Sequence, residues 1–109
     1  MQATELNKKV KQVKWALFRL GWTIEPEASG NLRHALAGPL DTETVAVRLE
    51  DLEWNIDRAE LSLALAFAED RLPCALCQRV ITTRTFGRGI ARPHYAICNT
   101  CLKQGEEPL

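Results

Sequence analysis

A chain of 109 residues, 46% hydrophobic and 26% charged, has the size and composition of one compact domain or of a helical module with a small appendage. No apolar run approaches the roughly 18 residues of a membrane span. The N-terminal Met-Gln-Ala-Thr-Glu-Leu-Asn-Lys-Lys lacks the apolar stretch of a signal peptide, so the expected location is the cytoplasm, where thiols stay reduced.

Acidic and basic residues balance at 14 each, but they are segregated. Residues 1–22 hold five basic residues and one acidic; residues 41–71 hold nine acidic and three basic; residues 72–104 hold five basic and none acidic. The first two segments are expected to face each other within one fold.

In chain order, residues 4–21 read as a helix. Leu6, Val10, Val13, Leu17 and Leu20 recur at alternating steps of four and three and line one face, with Gly21 as the stop. Trp15 and Trp22 lie on another face. Residues 23–40 read as a connector broken by Glu25-Pro26, Ser29-Gly30 and Gly38-Pro39, with a short helix over 31–37 capped by Asn31. Residues 42–71 read as one long helix, capped by Asp41 with Glu43 in its first turn, a rod of about 45 Å. Its seam is Val45, Leu49, Leu52, Ile56, Ala59, Leu63 and Ala66, and a second stripe is Val47, Trp54 and Leu61. Matching seams and opposite charge predict an antiparallel helical hairpin within residues 1–72. The second stripe needs cover from the short helix or from a second subunit, so the chain is expected to be a monomer or a homodimer.

Pro73 ends the helix, and residues 73–109 contain all four cysteines, as Cys74-Ala-Leu-Cys77 and Cys98-Asn-Thr-Cys101. A Cys-x-x-Cys knuckle brings two thiolates to one metal, and two knuckles complete the tetrahedral sulfur site that structural zinc prefers. Rubredoxin-type iron uses the same ligands, and a disulfide or thiol-redox pair is the remaining reading. Four thiolates leave no open position for a catalytic water. Val80-Ile81-Thr82-Thr83 reads as a strand, Phe86-Gly87-Arg88-Gly89 as a turn, and Ile90 to Ile97 as the return strand. The predicted fold is therefore mostly α, a helical hairpin with a small C-terminal treble-clef-like four-cysteine zinc finger.

Ala91-Arg92-Pro93, Ile97-Cys98-x-x-Cys101 and Ile81 resemble the finger of DksA/TraR-type proteins, and Asp57-Arg58-Ala59 resembles that family's helix leading into the first knuckle. Gln78 stands where the family has glycine, Trp54 where it has the first aspartate of its motif, and the loop between the knuckles is longer. The resemblance implies a coiled-coil hairpin that binds bacterial RNA polymerase and carries acidic residues through its secondary channel. Asp41 and Glu43 by position, and Asp57 by motif, are the acidic candidates it implies. Thr82-Thr83-x-Thr85 and His94-Tyr95 before Cys98-Asn99 also resemble GATA-type fingers.

Arg84, Arg88 and Arg92 are candidates for contact with a partner surface. With Arg79, Phe86 and Tyr95 they could also bind nucleic acid, or offset the charge of a metal tetrathiolate. His94 reads as a finger-surface residue, and His34 has no companion that suggests chemistry. No phosphate loop, catalytic triad or paired-carboxylate site stands out, and an enzyme is not expected. The expected function is regulation of transcription through protein binding. The alternatives are a phage- or plasmid-type adaptor or inhibitor and direct nucleic-acid binding.

Overall fold

Helix α1 spans Ala3–Arg19 in the computed structural model, which describes residues 3–90 and 94–104. The expected seam is its buried face: Val10, Val13, Leu17 and Leu20 point inward, with Leu6 half-buried. The helix stops at Gly21, whose φ of 100° is the left-handed conformation glycine adopts without steric cost. There the Trp22 N–H donates to the Leu17 carbonyl and the Gly21 N–H to that of Phe18, satisfying two orphan acceptors.

Helix α2, Ala28–Ala35, starts earlier than the sequence suggests. Glu27, not Asn31, occupies the cap position, and no side chain caps the helix. The turn that starts it is built on Glu25-Pro26, whose carbonyls accept from the Ala28 and Ser29 N–H groups. Leu32, Ala35 and Leu36 then bury completely, and their burial outweighs the poor local start.

The long helix expected over 42–71 is two helices, α3 over Thr42–Asp51 and α4 over Arg58–Ala68. The break is another left-handed stop. Glu53 takes φ 64°, the Trp54 N–H reaches the Leu49 carbonyl and the Glu53 N–H that of Glu50. Asp57 restarts the helix, its Oδ1 accepting from the N–H groups of Ala59 at 2.8 Å and Glu60 at 3.1 Å. The interruption resets the helical phase. Leu61, Ala64, Leu65 and Ala68 face the core, while Ala59 of the expected seam is exposed and Leu52, Leu63 and Ala66 are only half-buried. The expected second stripe also splits, with Leu61 wholly buried and Val47 44% exposed.

Helices α1 and α4 pack antiparallel. Lys9 of α1 donates to the Ala68 carbonyl at 2.7 Å at one end, and the Trp22 indole donates to Glu60 at the other. α2 and α3 complete the circuit, each helix packing on the next in chain order. The basic first segment thus faces residues 41–71 through α4, but no ion pair among the described residues joins α1 to them. Arg58 pairs instead with Glu43 at 3.1 Å and with Glu50, and Arg71 pairs with Glu69 at 3.0 Å. The charge of Lys9 is used on the negative end of the α4 dipole.

The cysteine segment contributes strand β1 over Phe86–Ile90, strand β2 over Tyr95–Cys98 and helix α5 over Asn99–Lys103. The strands pair antiparallel, Ile90 opposite Tyr95 and Phe86 opposite Cys98, with a bulge between Phe86 and Arg88. Phe86-Gly87-Arg88-Gly89, expected as a turn, is thus itself a strand. The turn lies at Thr82–Thr85, closed by the Thr85 N–H on the Thr82 carbonyl and the Thr82 N–H on the Thr85 hydroxyl. Of the expected strand 80–83, Val80 alone pairs, in an isolated bridge to Pro73. The two glycines serve close approach: a Cβ at Gly87 would meet Asn99 backbone at 2.8 Å, and one at Gly89 would meet Leu20 at 2.9 Å.

About half of the chain is helical, with one two-stranded sheet. A single apolar cluster runs from Val10 and Leu17 through Phe67 to Ile81, Phe86, Ile97 and the buried cysteines. Trp15 stacks on Phe67 at 5.3 Å, and Phe86 meets both edge-on at 5.1 and 5.6 Å. Arg19 lies over the Trp15 and Phe86 rings and donates to the Gly87 carbonyl at 2.6 Å.

Candidate metal centre

The first knuckle is closed by backbone. Leu72 and Arg79 carbonyls accept from the Ile81 and Cys74 N–H groups, both at 2.8 Å, and the Cys74 carbonyl accepts from the Gln78 N–H at 3.0 Å. The tight reversal puts Gln78 at φ 65°, a conformation that favours glycine. The Ala75 N–H donates to the Ala96 carbonyl at 2.9 Å and ties this knuckle to β2. Cys98 ends that strand and Cys101 lies on α5, whose start is held by Asn99: its N–H donates to Thr85 and its amide to the Arg84 carbonyl.

These elements bring the four sulfurs within 4.8 Å of one another. Cys74 Sγ is 3.8 Å from Cys101 Sγ, and Cys77 Sγ is 3.7 Å from Cys98 Sγ. A tetrahedron with metal–sulfur bonds of about 2.3 Å has edges of about 3.8 Å. All four cysteines are free, at separations far beyond the roughly 2.05 Å of a disulfide. Cys74, Cys98 and Cys101 are buried and Cys77 reaches the surface. The arrangement fits a metal ion bound by four thiolates.

The metal-free thiols are unequal. Burial pushes Cys74 up, but N–H groups of Cys77, Cys98 and Leu76 directed at its sulfur outweigh that and bring it down to about 6. The Leu76 and Cys98 N–H groups each lie 3.4 Å from the sulfur. Burial pushes Cys101 up to about 12, reinforced by the neighbouring cysteines. Metal binding by such a cluster releases the protons its thiols still carry.

Arg84 and Arg88 are exposed on the finger, and Arg92 lies outside the described residues. Asp41 caps α3, its carboxylate accepting from the Thr44 N–H at 3.0 Å and from the Thr44 hydroxyl. Glu43 pairs with Arg58, and Asp57 caps α4.

Sequence reasoning missed one grouping. His94, expected on the finger surface, has Nε2 3.3 Å from Asp57 Oδ1 and 3.9 Å from Glu60 Oε1. Asp57 and Glu60 are three apart on α4, a legible spacing, but nothing local signals that a finger histidine reaches them. Comparison of the chain with family models, with curated proteins and with solved structures finds no match in any of the three.

Proposed function

We propose that this chain is a zinc-stapled helical regulator that acts by binding a protein partner, and that the finger is a treble-clef unit. The sulfur cluster carries the zinc assignment: its edges of 3.7 and 3.8 Å suit a tetrahedral tetrathiolate, and four sulfurs leave no position for substrate. The zinc is therefore structural. Elemental analysis of freshly purified protein should give zinc; an iron chromophore would remove this reading.

Support for protein binding comes from α1. Phe18 is 65% exposed, the most exposed large apolar side chain among the described residues. It borders a groove with Trp15 and Ile24, walled by Lys11 and Lys14. An apolar floor with ammonium walls suits an acidic segment that inserts an apolar anchor.

For the identity of the partner, the finger and the Asp57-Arg58-Ala59 resemblance point to bacterial RNA polymerase. The geometry favours docking over channel insertion. α1 is 17 residues, a rod of about 26 Å. α4 is 11 residues, and His94 of the finger lies against Asp57 at its start. Purified polymerase should bind the zinc-loaded chain and lose it on Phe18→Asp or Lys11→Glu/Lys14→Glu. Absence of polymerase binding and of any effect on transcription in vitro would move the reading to an adaptor or inhibitor of another protein. Binding to nucleic acid that weakens steeply with salt and needs Arg84 and Arg88 would overturn protein docking as the main activity.

A further inference from the structure

We propose that Asp57, Glu60 and His94 form a second metal site, for a divalent transition ion held by two carboxylates and one imidazole. The proposal is independent of the polymerase reading. One ligand atom from each residue lies within 4.8 Å of the other two. The two carboxylates come from the N-cap and first turn of α4, and the histidine immediately precedes β2.

His94 Nε2 carries the argument. The atom is fully enclosed, yet it has no hydrogen-bond partner. It stands 3.3 Å from Asp57 Oδ1 and 3.9 Å from Glu60 Oε1, within ion-pair range of both oxygens but hydrogen-bonded to neither. A cation bound between this enclosed nitrogen and the two carboxylate oxygens would satisfy all three. Metal–nitrogen and metal–oxygen bonds of about 2.0–2.2 Å at tetrahedral angles give nitrogen–oxygen edges of about 3.4 Å. The shorter edge matches, and the longer one closes by a small turn of the Glu60 side chain.

The carboxylates are held ready. Glu60 is 6% exposed, and the Trp22 indole donates to its Oε2, leaving Oε1 toward His94. Asp57 is fixed by the two backbone N–H groups it caps. Arg58, between the two carboxylates in sequence, is turned away to Glu43 and Glu50. An imidazole with two carboxylates suits Zn²⁺, Mn²⁺, Co²⁺ or Fe²⁺, and three protein ligands leave positions for water or a partner's group. A bound ion would fasten the finger hairpin to α4.

The test uses the full chain with one zinc per molecule already in the cysteine cluster. Titration with Co²⁺ or Mn²⁺ should show one further equivalent. Its Co²⁺ absorption should lack thiolate charge-transfer bands, and its Mn²⁺ electron paramagnetic resonance signal should broaden on binding. Asp57→Asn keeps the helix cap and Glu60→Gln keeps an acceptor for Trp22. Each of these, and His94→Ala, should weaken the second equivalent at least tenfold while the cysteine-bound zinc stays. Wild type that takes up no second equivalent overturns the proposal. So does a second equivalent that all three variants retain.

Discussion

Single residues set where the helices of this protein stop. Three left-handed stops recur, at Gly21, Glu53 and Asp70, and in each the following N–H reaches back to a carbonyl of the last helical turn. Only the first uses glycine. A non-glycine residue in this conformation costs about 1–2 kcal/mol, offset partly by the extra unfolded-state freedom that glycine brings. Glu53 is exposed, so Glu53→Gly should stabilise the protein by about 1 kcal/mol, read as a higher urea midpoint with an unchanged slope. A lower midpoint would show that the Glu53 side chain makes a contact the fold depends on. Asp41 has a second residue-scale consequence. The Thr44 hydroxyl and N–H hold its carboxyl below its ordinary value of 3.8. A depressed carboxylate stabilises the fold above its unfolded value, and that contribution fades as pH falls from 3.8 through the lower folded value. The stability advantage of wild type over Asp41→Asn should therefore shrink below pH 3.8. A difference that grows in acid would contradict the cap geometry.

At the scale of elements, the break at 52–57 decides which apolar residues form the core. A continuous helix would have buried Leu52 and Ala59 along one seam. The restart at Asp57 rotates the face, so Leu61 is wholly buried while Leu52 sits half-exposed at the α3 C-cap. Leu61→Asp should unfold the helical body, because a buried unpaired carboxylate costs several kcal/mol, on the order of total domain stability. Leu52→Asp should leave a folded, helical protein. Circular dichroism and thermal melts of the two variants test this, and the reverse order would restore the unbroken helix. The hairpin shows the same priority of context over local signal. Glycines at 87 and 89 suggest a turn, yet both sit in β1, where Asn99 backbone and Leu20 leave no room for a side chain.

At the scale of the molecule, the cysteine cluster and the helices share one apolar cluster, joined at Trp15, Phe67 and Phe86. Metal removal should therefore reach beyond the finger. Chelation, or Cys98→Ser, should release Phe86 from the trio and change Trp15 fluorescence, while most helical circular dichroism survives on the α1–α4 packing. Unchanged tryptophan emission would show that the finger and helices are independent. Metal uptake should also be pH-linked. Cys101 is pushed up to about 12 in the metal-free state, so it is protonated at neutral pH and must lose that proton on binding. Affinity should rise with pH, and the heat of zinc binding at pH 7 should vary with the ionisation enthalpy of the buffer. A buffer-independent heat would mean that the thiols are already ionised.

The sequence by itself determined what depends on neighbours a few residues apart. The two Cys-x-x-Cys knuckles name all four clustered thiols because each pair is brought together by its own turn. The α1 seam, the Gly21 stop and the Asp41 cap are equally local. Tertiary structure decided the rest. No glycine or proline marks residues 52–57. That break is stabilised by contacts the sequence does not display, with Ile56 buried and Trp54 against Trp22. The meeting of His94 with Asp57 and Glu60, and of Phe86 with Trp15 and Phe67, joins residues far apart along the chain. Such contacts follow from the packing of whole elements, which local spacing and propensity do not encode.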